Sequence, residues 1–231
     1  MTTARQIKGL SAPLLARNPD LVDSGRKTLW LAPIDHVGRK ILIDRTSNPD
    51  CCVVSWHVVE LFMPDARSWY GLGRCGGDVS RSEHFPGGRG WYWSDPTIYE
   101  DFVDRVEADA LPLLRSLDTT RKCLEFQRSD PQRSGYLNHH WHLGACIALG
   151  EIERAQELWS ELRRSDVAER TYENPAEQFV EMRLRALERP LRSGDREALC
   201  ALLAQWEAEI LVGSPVEPYW LRTAFPLEGV R

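Results

Sequence analysis

The chain of 231 residues is 42% hydrophobic and 27% charged, a balance that is typical of a folded globular protein and excludes a disordered tail. Its 34 acidic side chains outnumber its 29 Lys and Arg side chains, and the formal net charge of −5 disfavours nonspecific binding to nucleic acid. Because no segment carries the roughly 18 apolar residues of a membrane span and the N-terminal segment lacks the apolar core of a signal peptide, we expect a soluble, cytoplasmic protein.

The first half of the chain has the residue pattern of β-strands. Aliphatic, aromatic and β-branched residues dominate the segments 26–34, 38–46 and 51–62, and turn-forming residues separate them. The connections are too short for the crossovers that parallel strands need. The pattern therefore predicts three successive strands of an antiparallel sheet.

Residues 74–96 are rich in glycine, and we interpret them as a long loop with room for one short strand at residues 91–93. A GxGxxG match at residues 71–76 indicates no dinucleotide site, because no helix pattern follows it. Loops of this length are often functional. If a partner protein docks here, the contacts that we predict are Arg74, Arg81, Arg89, Trp91 and Tyr92. Core packing of Trp91 is the alternative interpretation.

A helix is predicted next, with Ser94 or Asp95 as its cap and Pro96 as its first residue. Apolar residues recur at every fourth position, namely Ile98, Phe102, Val106, Ala110 and Leu114. This stripe predicts that the helix lies on the sheet. Pro112 has no backbone N–H to donate, so we expect a kink or an early end near Ala110.

Only helical periodicity remains after the polar segment 127–135. We therefore divide the chain into a sheet-plus-helix domain, residues 1–128, and a helical-hairpin domain, residues 129–231, in an α+β fold. Gly150 and Gly194 each separate the two helical segments of one pair. The two glycines are 44 positions apart, which is within the period range of helical repeats. Asn174 and Pro175 mark the start of the second pair. Trp206 is expected in its core.

Three histidines and a cysteine lie within eight positions of one predicted helix. His139, His142 and Cys146 share a helix face and could ligate zinc. The same face carries Leu143 and Ile147, and the spacing of the sequence indicates neither a fourth ligand nor an orienting carboxylate. We expect this face to pack in a core and to hold no metal, with a zinc site as the alternative.

A second set of polar residues could support acid–base chemistry. Asp35, His36 and Asp44 lie near His57 only if the register of the strands brings them together. Sequence does not supply that register, and such residues more often lie at strand ends in contact with solvent.

Two resemblances accompany these patterns. The segments RKTLWLAPIDHVGRKILID and DALPLLRSL resemble a group of uncharacterised bacterial proteins that are built as a small sheet plus a helix. The second half resembles a tetratricopeptide hairpin, in which the W-x2-L-G-x2-Y stripe corresponds to His139, His142, Leu143 and Cys146, with different residues at each position. Gly150 and Ala155 fit the turn and the second helix. Neither resemblance implies a catalytic residue.

The function that these observations favour is non-enzymatic. We expect a binding or interaction module whose partner is another protein, with no nucleic-acid or membrane partner and no cofactor. A metal-dependent hydrolase or nuclease that uses His139 and His142 with zinc is the alternative.

Overall fold

The computed structural model describes residues 2–25, 27–65, 75–81, 88–129, 139–164 and 174–229, apart from the side chain of His139. The fold class is α+β, as the sequence predicts: an antiparallel sheet with packed helices occupies the first half, and paired helices follow it. None of the described helices is both long enough and apolar enough to span a bilayer.

Within the described residues, six strands form one antiparallel sheet. They are β1 (Leu21–Asp23), β2 (Thr28–Leu31), β3 (Val37–Arg45), β4 (Cys51–Glu60), β5 (Cys75–Asp78) and β6 (Gly90–Tyr92). The order is β1-β2-β3-β4-β5, and β6 pairs with the start of β4, next to the stretch that pairs with β5. The three predicted strands are confirmed as β2, β3 and β4.

The two faces of the sheet pack against different parts of the chain, because side chains alternate along each strand. Trp56 and Val58 of β4 point into the main core, which the helices of the first half cover. Val59 lies on the opposite face, where it packs with Trp30 and with Leu211 from the helical half. Both faces are therefore covered.

Helix α1 (Ala4–Arg17) packs on the first face, and the sequence analysis missed it. The side chain of Thr3 accepts a hydrogen bond from the Gln6 N–H at 3.2 Å, and Gln6 reaches back to the Thr3 N–H, which closes a capping box. Leu10 and Leu14 are fully buried. The T-x-x-Q motif and the four-residue spacing of these leucines could have identified the helix.

The helix predicted after Pro96 forms in three consecutive pieces. They are α2 (Ile98–Arg105), a π-helical segment (Val106–Ala110) and α3 (Leu111–Ser116). The N-cap is Thr97 rather than Ser94 or Asp95. Every residue of the predicted apolar stripe is buried, and the stripe faces the sheet as expected.

Pro112 does not end this helix, so of the two expected outcomes, a kink or an early end near Ala110, the early end does not occur. The π-helical turn precedes the proline, and the Leu111 N–H donates to the carbonyl of Val106, five residues back. Steps of four residues on an α-helix overshoot a full turn by about 40°. The wider π turn offsets this drift and returns the later apolar residues to the sheet.

Six further α-helices follow among the residues that the structure describes. They are α4 (Thr120–Ser129), α5 (His139–Ala148), α6 (Ile152–Arg164), α7 (Pro175–Ser193), α8 (Arg196–Leu211) and α9 (Pro226–Gly229). Helices α5 and α6 form one hairpin, and α7 and α8 form the other. The described residues between positions 139 and 210 contain no strand, as predicted.

The two hairpin turns, at Gly150 and Gly194, have the same hydrogen-bond pattern. The Gly150 N–H donates to the carbonyl of Ile147 at 2.9 Å, and the N–H of the next residue donates to the carbonyl five residues before it. The turn at Gly194 has the same two hydrogen bonds. Gly150 and Gly194 have φ of 77° and 68°. This is the Schellman ending of a helix, which favours glycine because its left-handed residue has no Cβ.

Residues from both halves share hydrophobic cores. Phe62 and Met63, which follow β4, belong to the core of the helical half. Trp206 is buried in that same core, as predicted. Near the C-terminus the Tyr219 carbonyl accepts a hydrogen bond from the Ile34 N–H at 2.9 Å. The chain therefore returns to the sheet after its last hairpin.

Candidate functional site

Arg81 and Trp91, two of the predicted partner contacts, lie in the interior. The Arg81 side chain is 1% exposed, and its guanidinium donates to Asp95 at 2.6 Å and to Asp101. The hydrogen bond from Arg81 lowers the pKa of Asp95 to about 2, with further help from the Thr97 N–H and hydroxyl. Trp91 is fully buried and donates from Nε1 to the Val79 carbonyl at 2.9 Å. Both side chains are therefore buried and do not lie on the surface that was predicted for a partner.

Arg89 and Tyr92, by contrast, lie on the surface. The Arg89 side chain is 77% exposed, with Nε 2.9 Å from Asp78 Oδ2, and Tyr92 is 45% exposed. Arg74 lies outside the described residues. Of the predicted partner contacts, Arg89 and Tyr92 therefore lie on the surface at the edge of the sheet, whereas Arg81 and Trp91 are buried.

A groove of about 780 Å³ runs between strand β5 and the helix that crosses it. One wall is the chain from Gly76 to Ser80. The other wall belongs to the π-helical segment and its flanking turns, through Arg105, Ala108, Asp109 and Leu113. Trp56 contributes to the floor. π-helical turns are often found at functional sites.

The outer edge of β5 presents backbone groups to this groove. The Val79 N–H donates to the Val54 carbonyl at 2.9 Å, so the alternate residues Gly76 and Asp78 direct their N–H and C=O groups away from β4. No strand of the described chain pairs with this edge. The carbonyl of Ser80, the next outward group, accepts from Arg105 Nε at 3.3 Å.

Two glycines let β5 lie directly on aromatic rings. A Cβ on Gly77 would stand 2.8 Å from Trp56 Nε1, and one on Gly76 would stand 2.5 Å from His57 Nδ1. Side chains at these positions would push β5 away from β4. The sequence predicts a loop here, because glycine carries no strand signal.

No family model, curated protein or solved structure matches the chain. Function is therefore inferred from the geometry of its sites.

The candidate acid–base residues lie in three separate places. Asp44 pairs with Lys27 Nζ at 2.6 Å, and His36 pairs with Glu207 at 2.6 Å. His57 lies on β4 opposite Lys40 of β3. The set that the sequence analysis considered is therefore not assembled.

His57 belongs instead to a partly buried cluster on the second face of the sheet. Its Nε2 lies 2.8 Å from Ser55 Oγ. Burial, followed by the charge of Lys40, lowers the pKa of His57 to about 4, and burial lowers the pKa of Lys40 to about 7. Lys40 is 1% exposed with Nζ 5.0 Å from the Trp30 ring. Lys40 is therefore enclosed, whereas Ser55 and His57 are half-buried.

The described part of the histidine–cysteine helix gives a metal little support. His142 Nε2 lies 3.2 Å from Arg128 Nη2, and burial raises the pKa of the Cys146 thiol to about 11. Among the described residues, no group of three His, Cys, Asp or Glu side chains could hold a metal ion. The side chain of His139 lies outside them, so the absence of zinc stays a prediction.

Proposed function

We propose that the groove beside β5 is a non-enzymatic binding site, which captures an extended segment of a partner protein by adding it as a strand to β5. The observation that carries the proposal is the edge of β5, with which no strand of the described residues pairs, beside a groove that Gly76 and Asp78 line with their outward backbone groups. Strand addition to an exposed sheet edge is a recurrent way of recognising peptides, because main-chain hydrogen bonds supply affinity.

The helix wall favours a single peptide over the edge of another sheet. Arg105 reaches from the helix to the outward carbonyl of Ser80, so the helix overhangs the edge. A strand added to β5 would lie about 4.8 Å from it. A second copy of this chain would bring its own helix and neighbouring strands into the same narrow space. A lone extended segment fits the groove better.

The lining of the groove also indicates which side chains the bound partner segment should carry. Trp56 and Leu113 form an apolar part of the lining, so apolar residues at alternate positions of the segment would face them. Arg89 is exposed beside the groove despite its pairing with Asp78. An acidic residue near that end of the segment would gain a favourable contact.

The cysteines of this chain favour a reducing compartment. All six cysteines are free thiols, and five of them are buried. Proteins of oxidising compartments generally use their cysteines in disulfides. This supports the expected cytoplasmic location as part of the proposal.

The test is a selection of displayed random peptides on the immobilised protein, followed by fluorescence anisotropy with the selected peptide. Asp78→Pro removes the outward N–H without touching the bonds to β4, whereas Asp78→Ala keeps that N–H and removes the ion pair with Arg89. We expect Asp78→Pro to weaken binding about tenfold or more and Asp78→Ala by less than about threefold. Equal affinities for the two variants, or failure to select any peptide, would contradict the proposal.

A further inference from the structure

A second cavity, of about 480 Å³, lies where the end of the sheet meets the C-terminal segment. His36, Thr223 and the first turn of α4 line it, together with apolar groups that include Leu149 and Pro226. Its size is in the range of sites for small molecules. It shares no lining residue with the groove beside β5.

A buried carboxylate holds His36 at this cavity. Nδ1 of His36 lies 2.6 Å from Glu207 Oε2, and the Glu207 side chain is 3% exposed. The other oxygen of Glu207 accepts from Trp220 Nε1 at 2.7 Å. The ring of His36 also stacks on Phe225 with a centroid separation of 3.8 Å. These contacts fix both the position of the ring and the proton on Nδ1.

The other ring nitrogen meets a hydroxyl. Nε2 of His36 lies 3.1 Å from Thr223 Oγ1, and Thr223 is exposed at the cavity. Burial lowers the pKa of His36, but the hydrogen bond and charge of Glu207 outweigh burial and raise it, so the ring is neutral only above that pKa. In the neutral ring Nδ1 donates to Glu207, so Nε2 accepts and can take the Thr223 proton. A hydroxyl, an imidazole and a carboxylate therefore stand in the order and at the distances of a nucleophilic triad.

We propose that Thr223, His36 and Glu207 form a hydrolytic site for small carboxylic esters, an activity separate from the peptide binding above. Thr223 is the nucleophile, His36 the general base and acid, and Glu207 the positioning residue. Thr120 and Arg121 lie in the first turn of α4, where backbone N–H groups have no acceptor within the helix. These groups supply donors for the oxyanion.

The reaction proceeds through an acyl-enzyme. Thr223 Oγ1 bonds to the ester carbonyl carbon while its proton moves to His36 Nε2. The bond from that carbon to the alcohol oxygen then breaks, and Nε2 returns the proton to the leaving oxygen. Water attacks acyl-Thr223, His36 takes a proton from it, and the proton passes to Thr223 Oγ1 as the carboxylic acid leaves.

The lining indicates which esters fit. Asp35 and Asp118 place two carboxylates at the cavity, which disfavours anionic substrates. The Arg121 side chain is paired with Glu151 at 3.2 Å and so offsets them only in part. The substrate class is a neutral or cationic ester with a short acyl chain.

The test uses the full chain with 4-nitrophenyl acetate, following both nitrophenolate release and the intact mass of the protein. We expect the mass of one acetyl group on Thr223, and a rate above background that falls on the order of 100-fold or more in Thr223→Val and in His36→Gln. Thr223→Ser, which restores a hydroxyl, should again become acetylated. A wild-type rate in Thr223→Val, an acetyl group on another residue, or no hydrolysis by the wild type would overturn the proposal.

The variant Glu207→Gln tests whether Glu207 positions His36 for the reaction or only stabilises the fold. The variant has one carbonyl oxygen, which can still accept from Nδ1, while its amide nitrogen would face Trp220 Nε1. Because the negative charge is removed, the pH at which hydrolysis reaches half its maximum should move to lower pH. A thermal melt on each variant checks its fold, and Thr223→Val is the decisive variant because Thr223 is exposed. An unchanged pH profile in folded Glu207→Gln would remove Glu207 from the site.

Discussion

The glycine-rich surroundings of Arg81 predict a surface residue, yet its side chain is 1% exposed and bound to two carboxylates. Those carboxylates, of Asp95 and Asp101, retain 21% and 25% exposure, so water still reaches them. A buried cation of this kind is held by its partners, and its removal leaves them uncompensated.

We therefore expect Arg81→Met to lower the free energy of unfolding by about 3 kcal/mol. Arg89→Met is the matched control, because the Arg89 side chain is 77% exposed in its pair with Asp78 and should change the free energy by less than about 0.5 kcal/mol. Urea denaturation of both variants measures the difference. Similar losses of unfolding free energy in the two variants would mean that the buried ion pairs of Arg81 do not stabilise the fold.

His36 should make stability depend on pH. Burial lowers the pKa of its ring, but the hydrogen bond and charge of Glu207, with the Ala224 carbonyl and Asp35, outweigh burial, and the net pKa lies above the ordinary 6.5. The folded protein thus holds this proton more tightly than the unfolded chain, so the stabilisation is complete below pH 6.5 and is lost as pH rises through the folded pKa.

The measurement is the urea midpoint of the wild type and of His36→Gln across this pH range. The stability advantage of the wild type should shrink as pH increases. His57 titrates in both proteins and cancels in the comparison. An advantage that grows with pH would show that the sign assigned to His36 is wrong.

At the scale of elements, two glycines of helices have opposite roles. Gly9 lies within α1, where an added Cβ would stand 3.6 Å from the Tyr99 ring, an ordinary contact. Gly194 ends α7 with φ of 68° and has nothing within 4 Å of an added Cβ. Space is therefore available at both sites, but only Gly9 has a backbone conformation that alanine adopts freely.

Gly9→Ala should stabilise the protein by about 0.5–1 kcal/mol, because alanine loses less conformational entropy in a helix. Gly194→Ala should destabilise it by about 1 kcal/mol, because a left-handed residue with a Cβ is strained. Thermal unfolding of the two variants gives the sign directly. Shifts in the same direction would refute the distinction between helix interior and helix end.

At the scale of the whole molecule, the two halves are linked by shared cores. Phe62 and Met63 lie in the core of the helical half, and Leu211 and Val216 pack on the second face of the sheet. The division at residues 128 and 129, taken as two independent folding units, predicts two unfolding transitions. The shared cores predict one.

We expect a single cooperative transition. Far-ultraviolet circular dichroism and tryptophan fluorescence should give coincident urea curves, and the calorimetric enthalpy should equal the van't Hoff enthalpy. Two resolved transitions would show that each half folds alone. Separate expression of residues 1–128 provides the control, since that fragment should expose Phe62 and aggregate or unfold.

Local patterns in the sequence determined strands β2 to β4, the buried stripe from Ile98 to Leu114, and the hairpin turns at Gly150 and Gly194. These features depend on the spacing of apolar side chains and on backbone φ. Both are set by residues that are close in sequence, so they can be recognised from the sequence alone. The π-helical turn before Pro112 was not predicted, because it is one of several ways in which a helix can accommodate a proline.

Only the tertiary structure decided the candidate sites. Strand β5 contains Gly76 and Gly77 and has no strand pattern, and it pairs with β4 because Trp56 lies against Gly77 on one face and His57 against Gly76 on the other. Arg81 is internal because packing places its carboxylate partners around it. His36 and Glu207 are 171 positions apart. Contacts of this kind arise from strand register and from the return of the chain to the sheet, and neither leaves a periodic signal in the sequence.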